Sequence, residues 1–209
     1  TLQSNFVAAA NFNPADLTGF NDAFFHSHRY RSELYSGEFN RRWWGWDVFS
    51  VKLGLRYVNV DEEFEFLSTA AVNTAEFRVE SDNHLVGPQL GVDMTRPIGR
   101  WTIQSKFVGA AFININDAHT TLRNGPTTWI NNSVNDENFA WMLETGVYAV
   151  YHFTDRLSAR VGYEGWFIDG LVIAAEQTHN PIDVNMGLSS GERGDILYHG
   201  ASAGIELVW

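Results

Sequence analysis

His26, Ser27 and His28 form the closest pair of imidazoles in the chain. In an extended segment, residues two apart share a face, and two imidazoles on one face can ligate a divalent metal. No third ligand lies at a recognisable spacing, so the pair reads as a solvated strand end. The acidic run Asp61, Glu62, Glu63 and Glu65 lacks the spacing and the turn glycine of a calcium loop. His199 and Ser202 could be base and nucleophile, but in a strand an odd separation places them on opposite faces, where they cannot pair. Asn131, Asn132 and Ser133 have the form of a glycosylation acceptor and nothing more. No phosphate-binding glycine loop or nucleotide fingerprint occurs. The absence of cysteine excludes disulfides and thiolate metal sites. The expectation is a chain with no catalytic residues, no metal and no cofactor, and not an enzyme.

The elements that would carry these groups are strands. The chain has 209 residues, 44% hydrophobic and 14% aromatic, and reads as one domain over 1–209. No segment approaches the eighteen or so uncharged apolar residues of a membrane-spanning helix. A net charge of −11 argues against nucleic acid as a partner, since phosphate binding needs a basic surface. The sequence opens at Thr1 with neither initiator Met nor signal peptide, as a processed chain or a piece of a longer one would.

Periodicity of two runs through most of the sequence. Phe49, Val51, Leu53, Leu55 and Tyr57 alternate with Ser50, Lys52, Gly54 and Arg56. The same pattern follows from Val86 to Met94, Trp101 to Ile113, Phe139 to Phe153, Leu157 to Tyr163 and Leu197 to Trp209. Tyr30–Trp44 is strand-like with charge on both faces, and Ser4–Phe12 completes a count of about eight strands. No helical period, low-complexity segment or linker interrupts them.

In each of the clearly alternating strands one row is apolar and aromatic, while the other mixes small, polar and charged residues. A soluble barrel turns the apolar row inward; a membrane barrel turns it toward lipid. The mixed row carries both signs of charge, as Lys52, Arg56, Asp93, Lys106, Glu144, Arg160, Glu164 and Glu206, and opposite charges facing across a narrow lumen can pair. Aromatics gather near the short turns: Trp43, Trp44, Trp46, Phe49, Trp101, Tyr151, Phe153 and Trp209. Trp and Tyr favour the headgroup level of a bilayer, where an apolar ring and a polar handle are both satisfied. The expected fold is an all-β, antiparallel, up-and-down transmembrane β-barrel with its apolar row in lipid.

Short connections at 43–47, 96–100 and 154–156 are expected at one rim, and long polar ones at about 61–84, 116–137 and 171–195 at the other. The first long segment holds Asp61, Glu62, Glu63, Glu65, Glu76, Glu80 and Asp82 against Arg78. The three long segments together account for the whole net charge. Such a rim attracts cations over about a Debye length, or simply keeps the loops solvated.

The segments "YRSELYSGEFNRR" (30–42), "LGLRYVNVDEEFEF" (53–66) and "GASAGIELVW" (200–209), with Arg56, Tyr57 and Asp61 to Glu63 the most telling, resemble the outer-membrane β-barrel porin family of planctomycete bacteria. The resemblance runs from about residue 22 onward and implies a C-terminal barrel region in the bacterial outer membrane, either a barrel in itself or part of a larger one. The terminal aromatic strand resembles the signal read by barrel assembly machinery. Outer-membrane lipid, that machinery, neighbouring envelope proteins and further copies of the chain are the partners implied. Three functions are expected in order: a porin passing small hydrophilic solutes through a charged lumen; a plugged barrel that anchors or binds neighbours through its wall or acidic loops; and a soluble barrel binding an apolar ligand. Eight strands enclose only enough space for side chains, so a complete eight-stranded barrel would be filled.

Overall fold

The computed structural model describes residues 1–45, 48–71, 73–178, 181–189 and 193–207. Seven strands follow a short 3-10 helix at Pro14–Phe20: β1 (Phe25–Trp44), β2 (Phe49–Thr69), β3 (Thr74–Ile98), β4 (Trp101–Asn124), β5 (Thr127–His152), β6 (Leu157–Leu171) and β7 (Gly194–Leu207). Each pairs antiparallel with its chain neighbours, in the order β1 to β7. The fold is all-β: one curled sheet, barrel-like and open along one side.

The curl brings the first and last strands together. Cross-strand partners lead from Tyr198 through Trp166, Glu144, Val108, Gly91 and Lys52 to Arg42. The Tyr198 hydroxyl instead meets Ser32 Oγ at 2.6 Å, ten residues along β1 from Arg42. Such a stagger is the strand tilt that a closing barrel requires. No ladder joins β1 to β7 among the described residues.

The rows face as expected in the half of the sheet nearest residues 45–48, 99–100 and 153–156. Phe39 is 81% exposed, Phe139 67% and Ile113 63%, whereas Lys52 is 6% exposed, Arg56 4% and Glu144 3%. Close interior packing sets residue size there. The Tyr148 ring lies over Gly162, where a Cβ would fall 2.2 Å from its Cδ1.

Three expectations are corrected. Ser4–Phe12 is not a strand: Phe6 and Phe12 are drawn into an apolar cluster at the far end, and this segment makes only an isolated bridge, Ala8 to Ile182. Among the described residues the sheet therefore has seven strands rather than eight. Residues 61–84 and 116–137 do not form the expected loops: β2–β3 and β4–β5 continue as ladders to the pairs Thr69–Thr74 and Asn124–Thr127, and a tight turn at 125–126 closes the second. Gly125 adopts φ +58° in the second, a conformation that favours glycine. Hence tight turns occur at both ends, and 172–193 is the long connection.

Those outer extensions reverse the facing. On β2, Asp61, Glu63 and Glu65 point out, while Val58, Val60 and Phe66 are buried. Inside the far end, Phe20, Phe66, Phe77, Val79, Leu122 and Ile130 pack with the N-terminal segment and with Ala174, Ile182 and Met186. Phe6 docks its ring edge-on against Phe20, Phe66 and Phe77 at 5.1, 5.3 and 5.8 Å.

Candidate functional site

The inward charges of the near half form a network around Arg56 and Glu144, with a second group around Asp93. The Arg56 guanidinium donates to Glu144 at 2.5 Å and to Ser36 Oγ at 3.0 Å, and its plane lies over the Trp166 ring at 4.4 Å. Glu144 is shared with Lys106, which also reaches Glu164 at 3.0 Å. Lys52 and Arg42 converge on Asp93, at 4.0 and 2.9 Å. Gln89 donates to Glu38 and Asn40 at 2.6 and 2.7 Å, and Arg160 stacks over Tyr148 at 3.8 Å. Removing one member of a buried pair leaves an uncompensated charge and costs about 3–5 kcal/mol, so the network holds the strands it spans.

Of the eight expected lumen charges, seven enter these contacts and Glu206 sits apart at the end of β7, beside Arg160 and Ser202. Glu38, Gln89, Tyr148 and Trp166 belong to the network and were missed. Glu38 lies on β1, whose charges on both faces masked its inward row. Trp166 lies on the mixed row, where an aromatic lends its face to a guanidinium.

Above the charges the interior stays filled. Val58, Leu85, Phe112, Met142 and Ile168 make an apolar layer. Over it lies a layer of amides: Asn114 donates to Asn83 at 2.9 Å, Asn116 to Asn138 at 2.8 Å, and Asn138 to the Gly170 carbonyl at 2.8 Å. Asn83 grips the Val172 peptide from both sides, donating to its carbonyl at 2.9 Å and accepting from its N–H at 2.8 Å. The aromatic cluster then caps the far end. Side chains occupy every level of the lumen.

The expected acidic loop divides in two. Glu62 points inward and is buried; it accepts from Tyr30 at 2.5 Å and from the Ala174 N–H at 3.1 Å. Burial, with Glu62 alongside, pushes the Tyr30 phenol well above its ordinary range. Asp61, Glu63, Glu65, Glu76, Glu80 and Asp82 remain on the outer row. Glu33, Asp61, Asp82 and Asp117 stand directly opposite one another across four strands, an arrangement that like charges disfavour. Burial raises the Asp61 pKa, and its hydrogen bond to Asp82 and their mutual repulsion raise it further. Arg78 compensates by bridging Glu63 at 3.1 Å and Glu80 at 2.5 Å.

Of the expected aromatic girdle, Trp43, Phe49, Trp101 and Phe153 are exposed at the near end, and Tyr151 packs on Trp101 and Phe153 at 4.8 and 5.0 Å. Trp46, Trp209 and the side chain of Trp44 lie outside the described residues. His26 and His28 pack on Phe66 at 5.1 and 4.5 Å. No group of three or more His, Asp or Glu among the described residues is arranged to hold a metal ion. His199 faces outward and bonds Tyr163, away from the inward Ser202. The chain matches no family model, no curated protein and no solved structure.

Proposed function

We propose that this protein is a bacterial outer-membrane barrel with a plugged lumen, anchored by its near half and presenting its acidic far half to neighbouring envelope proteins. The observation that carries the reading is the inverted facing: buried Lys52, Arg56 and Glu144 lie behind exposed Phe39, Ile113 and Phe139. Water around the near half would reward the opposite arrangement; lipid rewards this one. The outward apolar runs are long enough. Phe49–Tyr57, Val86–Met94, Trp101–Ile115, Phe139–Tyr151 and Leu157–Phe167 cover nine to fifteen residues, against roughly 9–11 for a tilted strand crossing hydrocarbon. The exposed aromatics then lie at headgroup level, and the lipid and assembly-machinery partners implied by the resemblance fit the same reading.

A porin passing small hydrophilic solutes is the second reading. The open side between β1 and β7 favours it, because added strands widen a barrel. Planar-bilayer conductance separates the two. The plugged barrel inserts into vesicles, shifts its gel mobility on heating and passes no current. Stable ohmic steps from protein of this chain's mass would sink the plugged reading. A monomer that stays in solution without detergent would sink both.

A further inference from the structure

We infer that the turns at the near end form a binding surface for anionic phospholipid headgroups, centred on Arg100 and Arg156. The inference deepens the membrane reading above and rests on it.

The charge of the outer wall is divided by level. From Phe49 to Tyr57 on β2, Val86 to Met94 on β3 and Trp101 to Ile115 on β4, the outward row carries no charged residue. Past that belt, toward the far end, the row is acidic, with Asp61, Glu63, Asp82 and Asp117. On the other side of the belt it is basic. Arg41 and Arg96 lie on the outward row close to the near-end turns, Arg100 and Arg156 lie in those turns, and all four are exposed. Asp155 is the one acid on that rim among the described residues, and Asp47 lies outside them. None of the four arginines forms an ion pair with a described residue, whereas Lys52, Arg56 and Lys106 inside the sheet are all paired.

Two of the four share a site. The Arg100 carbonyl accepts from the His152 N–H at 2.9 Å, which sets the turn at 99–100 beside the one at 153–156. Three aromatic rings accompany these arginines: Trp101 packs on Tyr151 at 4.8 Å, and Tyr151 on Phe153 at 5.0 Å. Beyond the rings the outward row continues as Ile103, Phe107, Val147 and Ala149. On β1, Arg41 lies 5.3 Å over the Trp43 ring, which repeats the pairing of guanidinium and indole at the same rim.

This order of chemistries selects the occupant. A guanidinium binds phosphate through paired N–H donors, and indole and phenol rings favour the headgroup level of a bilayer. A free phosphate would leave the rings and the apolar row uncovered. An amphiphile with a phosphate headgroup covers all three levels at once. Four bases against one acid favour an anionic headgroup over a zwitterionic one, whose own cation would meet the same arginines. The acidic flank at the far end repels that lipid, so the leaflet richer in anionic phospholipid takes the near rim.

The test reads tryptophan fluorescence of the full chain, which has eight tryptophans. Mixed vesicles of phosphatidylglycerol and phosphatidylcholine carry brominated acyl chains on one lipid or the other, and bromine quenches an indole that its lipid touches. The relative affinity should favour phosphatidylglycerol by about fivefold, the equivalent of one arginine at a charged surface. Raising salt to about 1 M, where the screening length is about 3 Å, should abolish that preference in the unmodified chain. Arg100→Gln with Arg156→Gln should lose most of it. Arg29→Gln with Arg123→Gln, two exposed arginines of the far half, should leave it unchanged.

Equal quenching by the two lipids overturns the inference, as does a preference that survives high salt or the near-rim pair of substitutions. Equal loss in the far-half variant overturns it too. Abolition by millimolar inorganic phosphate at constant ionic strength would mark a site for the free anion instead. No quenching by either lipid removes the membrane reading itself, so the two failures are distinguishable.

Discussion

The two halves of this sheet obey opposite rules on the same strands. Near residues 45–48 the outward row is Phe, Leu, Val and Ile, and the inward row is charged. Past Tyr57 on β2 the outward row becomes Asp61, Glu63 and Glu65, and the inward row becomes Val58, Val60 and Phe66. No register shift interrupts the β2–β3 ladder between them, so the pleat continues and the composition switches rows. A side chain's face is fixed by parity; which face should be apolar depends on what surrounds that level. The switch, near Tyr57 on β2 and Val86 on β3, is where the proposed membrane ends. Tyr57 donates to or accepts from His84 Nδ1 at 2.8 Å there, and His84 Nε2 lies 3.2 Å from Asp82, a polar handle at the boundary.

The largest effect that sharpens the comparison comes from cutting the same side chain in each half. Phe77→Ala, inward at the far end, should cost about 3–5 kcal/mol. Phe139→Ala, outward at the near end, should cost less than about 1 kcal/mol in detergent because no packed cavity opens. Urea unfolding of both variants measures this, and equal costs would break the two-rule description.

Next in size is a charge on the outer face of β5. Val147→Arg, in the near half, should cost about 2–4 kcal/mol and impair assembly into vesicles. Asn135→Arg, on the same face in the far half, should fall within about 0.5 kcal/mol of the parent, since it replaces a side chain that already bonds Asp117 at 2.8 Å. The reverse ranking would put the lipid at the wrong end.

The smallest effect is electrostatic. The folded pKa of Asp61 is raised, so the folded state holds its proton more tightly than the unfolded chain does. That contribution is complete below the unfolded pKa and is lost as pH rises through the folded value. Stability should therefore decline as pH rises above the ordinary aspartate range. Asp61→Asn should flatten that slope and stabilise the hairpin by about 0.5 kcal/mol or less at neutral pH. Unfolding midpoints from pH 3 to 8 test it; an unchanged slope would assign the dependence elsewhere.

Strand identity and facing in the near half were legible because one row is almost wholly apolar for nine or more residues. The far half was not, because a row switch looks locally like lost alternation, and carboxylates every second residue resemble a loop. Ser4–Phe12 alternates like a strand, yet Phe6 gains more from three aromatic neighbours at the far end than an edge would offer. The lumen charges were visible as a set, but not as pairs. Arg56 and Glu144 are 88 residues apart, and only the curl of the sheet decides that they meet.

The grip of Asn83 on the Val172 peptide bears on how the last strand is added. The connection over 172–193 must deliver β7 to β6, and a loop of that length pays closure entropy for every conformation it abandons. Asn83 pins its first residue to the middle of β3, and Glu62 on β2 holds Ala174 two positions later. A segment tethered at its root searches a smaller volume. The side chains of two early strands thus act as a guide that aims the final one.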